Sequence, residues 1–501
     1  MKKVNYSISA AITCIFTLVS SVVLSQTLTY PIVGTGVSQC YGNLTSIACP
    51  ANTTDPFYGQ FPGATPSYHD NGDGTISDLN TGLMWVKARG SKISWDSAML
   101  MAHYCTAGGH NDWRMPAIKE LYSLINYNGK SSRSPDSCIA YLDTNFFQMA
   151  YGAGDTMVGS RTIDAQDWSA TKYTALTMNG DTTIFGVNFI DGRIKGYPKY
   201  KPPTLSPDTL YVRYVRGNTN YGVNKFTDLG DSTIVDSATG LMWAKNDAGS
   251  GMNWQSALAY AQTKNTANYL GHNDWRLPNA KELQSIVDYT RSPMATHSAA
   301  INPVFNCMAI TDEGGHNDYP FFWSSTTHLD NLYGVYVCFG AALGWMHMPP
   351  TATYYMATDV HGAGAQRSDP KAGSVTTFYM GTDSLGGPCY GQGPQGDVIR
   401  INNYVRLVRT AINATGTNEI KDNHSLNVYP NPVLDICTVS FNEQRSMIKI
   451  ELINILGSKV KELYKTNTNT VQINLTDLPK GVFIMNVSFD NYLSTRKIIK
   501  L

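Results

Sequence analysis

The chain has 501 residues, too many for one hydrophobic core and enough for about three domains. Its 38 basic and 38 acidic residues cancel, so it lacks the excess positive charge that non-specific nucleic-acid binding needs. Aromatics at 11 % and 43 glycines, with charged residues at only 15 %, describe a loop-rich folded protein and exclude a disordered one.

At the N-terminus, Lys2 and Lys3 precede an apolar run from Ile8 to Leu24. Val23 and Ser25 are small enough for the −3 and −1 positions of an export signal, so residues 1–25 are expected to be removed. The run is too short for a membrane anchor and no basic stop follows it. Cys14 lies inside it without a lipoprotein context. No later segment is apolar enough to span a bilayer, so no transmembrane helix is expected after cleavage.

Cys14 aside, eight cysteines remain: Cys40, Cys49, Cys105, Cys138, Cys307, Cys338, Cys389 and Cys437. In an oxidising compartment an even number favours disulfides, and no CxxC pair supports zinc. Residues 26–65 form a separate N-terminal segment in which Cys40 and Cys49 pair most readily. Cys105–Cys138 and a pair among Cys307, Cys338 and Cys389 are further candidates. Cys437 sits in an apolar strand pattern, as a buried free thiol would.

From residue 66 the sequence repeats itself. DGTISDLNTGLMWVK (73–87) aligns with DSTIVDSATGLMWAK (231–245), and GHNDWRMP (109–116) with GHNDWRLP (271–278). AIKELYSLINY (117–127) meets NAKELQSIVDY (279–289), DWSAT (167–171) meets FWSST (322–326), and YVRYVRG (211–217) meets YVRLVRT (404–410). Two copies of one domain therefore occupy 66–217 and 222–410. In each copy Thr-Gly turns a hairpin, Ser94 or Asn253 caps a helix beginning at Trp95 or Trp254, and Pro116 or Pro278 opens a second helix. Apolar residues at Leu121, Leu124 and Ile125, and at Leu283, Ile286 and Val287, give that second helix a buried stripe. The alternating YVRYVR pattern predicts a closing strand. The unit reads as an α+β domain.

The copies differ in one region. Trp168 to Tyr211 is short, whereas Trp323 to Tyr404 carries a long insertion rich in Gly, Pro, Tyr and Thr. Irregular insertions on a fixed scaffold are where specificity usually sits. TGLMWVK, NDWRLPNAKEL, FWSST and YVRLVR, in this order, resemble the Lcl C-terminal domain, named after collagen-like bacterial adhesins. That resemblance implies a fold related to C-type lectin-like domains, adhesion to glycans, sulfated polysaccharides included, and no catalysis. The first copy has Trp168-Ser169-Ala170 in place of Trp-Ser-Ser, so equal binding by both copies is not implied.

After a polar linker (411–424), residues 425–501 alternate Val, Ile and Leu between turns at Asn431-Pro432, Leu456-Gly457 and Lys480-Gly481, predicting a small all-β sandwich of immunoglobulin type. YPNP, ILGSKV, DLPKGVF and the terminal KIIK resemble the C-terminal sorting domain of type IX secretion. That resemblance implies translocation across the outer membrane of a Bacteroidota-type cell by the type IX machinery. The domain is then removed, and the protein is released or held at the surface.

The octapeptide mixes His, Asp, Trp and Arg, as a catalytic or metal cluster does. Adjacent residues on an extended loop point apart, so a structural corner is the preferred reading. Trp85, Trp113, Arg114, Trp168, Trp243, Trp275, Arg276 and Trp323 are assigned structural roles. DNGDGTISD (70–78) places Gly72 where a calcium loop needs a ligand, so no metal is expected. No Gly-x-Ser-x-Gly elbow or paired-carboxylate signature stands out. No enzyme activity and no cofactor are expected; a chemistry like that of formylglycine-generating enzymes would need a reactive cysteine partner for Cys389. The best ligand candidate is DGRIKGYPKYKPP (191–203), where Arg193, Lys195, Lys199 and Lys201 alternate with Tyr197 and Tyr200. Cations interleaved with aromatic faces suit acidic or sulfated glycans; a solvated loop is the competing reading. Trp345, Tyr354 and Tyr355 in the insertion either stack on sugars or pack their own loop.

Overall fold

The computed structural model of the protein describes residues 28–50, 55–60, 64–132, 135–152, 161–178, 180–201, 204–328, 332–411, 426–454, 458–489 and 492–501. The export signal and nearly all of the 411–424 linker lie outside these residues.

Each repeat begins with a four-stranded antiparallel sheet of the same order. In the first, strands Val215–Gly217, Leu83–Val86, Thr75–Asp78 and Tyr68–Asp70 lie side by side. In the second the order is Val408–Thr410, Leu241–Ala244, Thr233–Asp236 and Phe226–Asp228. Trp85 faces Val215 across its ladder and Trp243 faces Val408, and both indoles are fully buried. The helix Trp95–Met101 is capped by the Ser94 hydroxyl, and Trp254–Thr266 by the Asn253 side chain. The second helices run Ile118–Ser123 and Ala280–Ser285. They start one residue after their caps, Ala117 and Asn279, so each proline stands just before the cap and not inside the helix.

The octapeptide forms the corner before that helix. Arg114 donates through both Nη atoms to Glu120 (2.6 and 2.5 Å), and Arg276 grips Glu282 in the same bidentate way. Each glutamate also accepts the backbone N–H of its cap residue, from Ala117 at 2.8 Å and Asn279 at 2.9 Å. The Trp113 and Trp275 indoles donate to the carbonyls of Ala107 and Tyr269. Asp112 accepts from Arg216 and Asp274 from Arg409, both at 2.6 Å, while His110 and His272 pack edge-on against Trp113 and Trp275. In each copy the imidazole and the carboxylate thus serve different neighbours.

Further in, Arg213 and Arg406 are fully buried. Arg213 donates to the carbonyls of Val86, Lys87 and Gln148; Arg406 donates to those of Ala244, Lys245 and Asn306. The Trp168 and Trp323 indoles donate to Ile93 and Met252. Each guanidinium and each of these indoles has polar partners, which is what makes burial tolerable.

The two copies do not stand apart. A six-stranded antiparallel sheet runs Phe321–Thr327, Tyr333–Cys338, Gln366–Pro370, Arg193–Pro198, Asp181–Asn188, Asp167–Thr177, three strands from each repeat. Its order reads alike from either edge, with a tryptophan strand outermost on both sides. The junction is the pairing of Gln366 with Ile194. Below it, one core holds Trp85, Leu121 and Phe185 of the first repeat together with Trp243, Leu283 and Phe322 of the second. Lysines cross the interface reciprocally: Lys119 Nζ donates to the Ser285 carbonyl and Lys281 Nζ to that of Ser123, both at 2.7 Å. Each caps the C-terminal end of the other repeat's helix, where cations are favoured.

The N-terminal segment lies across the second repeat. Its Gly34 carbonyl accepts from Lys281 at 3.0 Å, and Phe57 packs against the core cluster that contains Trp254 and Leu258. The Cys40–Cys49 disulfide closes its loop.

Several expectations require correction. The protein is not an α+β, C-type-lectin-like molecule: 41 % of the described residues are strand and 13 % helix, arranged in antiparallel sheets. The helices are short, and the aromatic segments form the long strands of the joint sheet. The tail is all-β but is no immunoglobulin-like pair of sheets. Its strands Leu426–Tyr429, Ile436–Asn454, Lys459–Asn474, Gly481–Phe489 and Tyr492–Lys500 form one continuous five-stranded sheet. The 19-residue strand is long enough to pair with Leu426–Tyr429 near its start and Gly481–Phe489 near its end. Cys105, Cys138, Cys307 and Cys338 are free thiols, as is Cys389, whereas Cys437 is the buried free thiol its strand pattern suggested. Each sits on a different element with its own surroundings: Cys138 Sγ bonds to the Ser132 backbone, and Cys338 is shut into the core opposite Phe321.

Two stability measurements follow. Lys281→Met removes the donor from two buried carbonyls, an expected loss of about 1–3 kcal/mol in guanidinium unfolding. Glu282→Ala removes the shared acceptor of the Arg276 guanidinium and the Asn279 N–H, for which about 2–4 kcal/mol and a lowered melting temperature are expected.

Candidate functional site

Where the two repeats meet, a cleft of about 370 Å³ opens beside the sheet junction. One wall comes from the Arg193–Pro198 strand and the other from the second repeat's insertion. Strand alternation selects the side chains: Arg193, Lys195 and Tyr197 line the cleft, while Ile194 is buried away from it. A Cβ on Gly196 would lie 2.5 Å from the His361 carbonyl oxygen, so glycine is what allows the strand to approach the insertion.

The electrostatics are concentrated. Asp191 pairs with Lys195 and lies 3.4 Å from Arg193, whose Nη2 also donates to Ser368 Oγ at 2.9 Å. From the opposite wall Arg367 pairs with Asp397 and donates to His361 Nε2 at 2.8 Å. Of the four cations that line the cleft, Arg161 is paired with Asp164, and the other three, Arg193, Lys195 and Arg367, face the carboxylates of Asp191 and Asp397, an excess of one positive charge. Burial raises the Asp191 carboxyl, but Lys195 and Arg193 outweigh it and hold it below the ordinary range. Burial pushes the Lys195 ammonium down to about 8, against the pull of Asp191. Burial, then Arg367 and Lys195, keep His361 well below the usual histidine value, so it is the acceptor for Arg367. The Tyr197 ring stands edge-on to Trp168 at 6.4 Å, and its buried hydroxyl has no hydrogen-bond partner among the described residues.

The basic stretch read from the sequence is therefore split. Arg193, Lys195 and Tyr197 line the cleft; Lys199, Tyr200 and Lys201 do not. Lys199 pairs with Asp96 at 2.8 Å and lies over the Trp95 ring, Lys201 is 3.4 Å from Asp208, and Tyr200 is exposed. The insertion adds a second five-stranded sheet in which Trp345 is buried beside Leu343, Cys389 and Val398. Tyr355 stacks near His347 at 4.1 Å, and Tyr354 is exposed. None of these three lines the cleft. Arg367, His361 and Asp397 were not anticipated: Arg367 stands on the strand that mirrors Arg193–Pro198 across the sheet junction, but the two strands share no sequence that would mark it.

Elsewhere, Asp70 and Asp73 of the glycine-rich turn serve Lys87 and Thr75. No group of three or more His, Cys, Asp or Glu side chains among the described residues is placed to hold a metal ion. Burial pushes the Cys307 thiol up to about 12 and Cys389 up to about 11, so neither is a thiolate at neutral pH. No helix among the described residues is long and apolar enough to cross a membrane.

Comparison with known families matches residues 74–216 and 232–357, more than half of the chain, to the Lcl C-terminal domain. Residues 427–501 match the secretion system C-terminal sorting domain. No curated protein matches the chain. The sorting domain marks a type IX secreted or cell-surface protein. The chain belongs to the Lcl C-terminal domain family, carrying that domain twice ahead of a secretion-sorting tail.

Proposed function

We propose that this exported protein is an adhesin that grips acidic glycan chains, carboxylated or sulfated, in the cleft between its repeats. The observation that carries this reading is the charge pattern: half-buried Arg193 and Lys195 with buried Arg367 against two carboxylates, with a tyrosine edge and an unpaired hydroxyl beside them. A ligand carboxylate or sulfate supplies the missing negative charge, and Arg193 and Arg367 present planar guanidinium groups suited to oxyanions. The volume lies at the small end of ligand sites, enough for a short stretch of a polysaccharide. Binding requires no chemistry from the buried thiols or from the octapeptide corners, and none is assigned to them.

The test is equilibrium binding of the mature chain to sulfated, uronic-acid and neutral polysaccharides. Acidic polymers are expected to bind with an affinity that falls as salt rises. Arg193→Met is expected to weaken them about tenfold, or about 1.4 kcal/mol, with the melting temperature little changed. Absence of binding to every acidic polymer would sink the reading.

Binding should also depend on pH in one direction. Lys195 is charged below about 8 and loses its proton above it, so affinity for an anion falls as pH rises from 7 to above 9. Lys195→Arg keeps the charge and should flatten that profile.

A further inference from the structure

A second cavity, of about 590 Å³, lies in the second repeat alone. Pro320, Phe321 and Tyr404 wall it, and its rim carries the hydroxyls of exposed Thr311 and Ser374 and the amide of exposed Asn402. None of the residues that line the seam cleft lines it.

Its deeper polar groups are incompletely used. Asn403 is 1 % exposed; its Nδ2 donates to Asp369 Oδ2 at 3.1 Å, and its Oδ1 has no hydrogen-bond partner among the described residues. The fully buried Asp369 accepts the Arg400 backbone N–H at 3.1 Å through the same oxygen, and its Oδ1 is likewise without a partner there. The Arg400 guanidinium lies over the Phe321 ring at 3.9 Å and donates to Glu313 through Nε and Nη2, which leaves Nη1 buried without an acceptor among the described residues.

The first repeat does without these groups. Leu210 pairs with Ile93 there as Asn403 pairs with Met252, and Pro207 stands where Arg400 does. A buried amide at a position that leucine fills costs stability unless it has another use.

The charge of the lining selects the class of ligand. Arg400 and Glu313 cancel, and burial pushes the Asp369 carboxyl up to about 7. An anion would find Arg400 already neutralised, and an ammonium would lie against its guanidinium. A hydroxyl both donates and accepts, so neighbouring hydroxyls suit an amide oxygen and a guanidinium N–H together. Buried Pro320 and half-buried Tyr404 supply apolar surface for the C–H face of a ring.

We infer that this cavity of the second repeat binds an uncharged sugar residue, held through neighbouring hydroxyls by Asn403 and Arg400 against Tyr404. The inference does not rest on the seam cleft, whose ligand is anionic.

The probes are the methyl glycosides of glucose, galactose and mannose, with glucuronate as the charged comparator, titrated into the full mature chain and followed by saturation-transfer NMR and calorimetry. At least one neutral glycoside is expected to bind 1:1 with a millimolar dissociation constant that added salt leaves unchanged. Thr311→Trp, at the exposed rim, should weaken it about tenfold or more without lowering the melting temperature. Asn403→Leu, which installs the first repeat's residue, should weaken it as much. Arg193→Met should not affect it, so loss of acidic-polymer binding and loss of this site are read separately. The inference is overturned if none of the three glycosides binds at tens of millimolar, if either cavity variant leaves binding intact, or if glucuronate occupies this cavity more tightly than the neutral sugars.

Discussion

The molecule rests on the way its two repeats complete each other's second helix. A six-residue helix ends in carbonyls that have no partner of their own, and here those ends lie inside the protein. Lys119 and Lys281 cross the interface to satisfy them. An ammonium in such a place is costly unless every proton finds an acceptor, which ties the two repeats to a single relative position. The joint sheet, the shared core and the seam cleft follow from that position.

Local features were legible in the sequence because local physics decides them. The hairpins at Thr-Gly, the caps at Ser94 and Asn253, and the corner between Trp113 or Trp275 and its proline are all set within a dozen residues of chain. What escaped was long-range. Nothing in YVRYVR distinguishes Arg213, which is buried to hold three carbonyls, from Arg216, which lies near the surface with Asp112. The pairing of Gln366 with Ile194 joins positions far apart in the chain, and it turned an expected α+β unit into a strand-dominated whole. The cysteines misled for a related reason: compartment and parity favour disulfides, yet placement on separate elements leaves Cys105, Cys138, Cys307, Cys338 and Cys389 unpaired.

The cleft was half legible. Alternation along Arg193, Lys195 and Tyr197 announced one face of a strand, but the polar run continues to Lys201 beyond the strand's end at Pro198, where the chain turns toward Asp96 and Asp208. The other wall was hidden because it lies in the most divergent part of the second copy, where even the strand of Arg367, which mirrors Arg193–Pro198, does not share its sequence. Its aromatic residues drew attention on composition, while Arg367 and Asp397 do the facing.

The order of the six-stranded sheet, alike from either edge, is that of two identical subunits meeting about a two-fold axis. A protein with one such domain would need to dimerise to bury the same surface, and symmetry would force both faces of the pair to be alike. Joining the copies in one chain removes that obligation. A single long insertion in one copy, and different segments of chain laid over Lys119 and Lys281, are asymmetries that a strictly symmetric homodimer could not maintain.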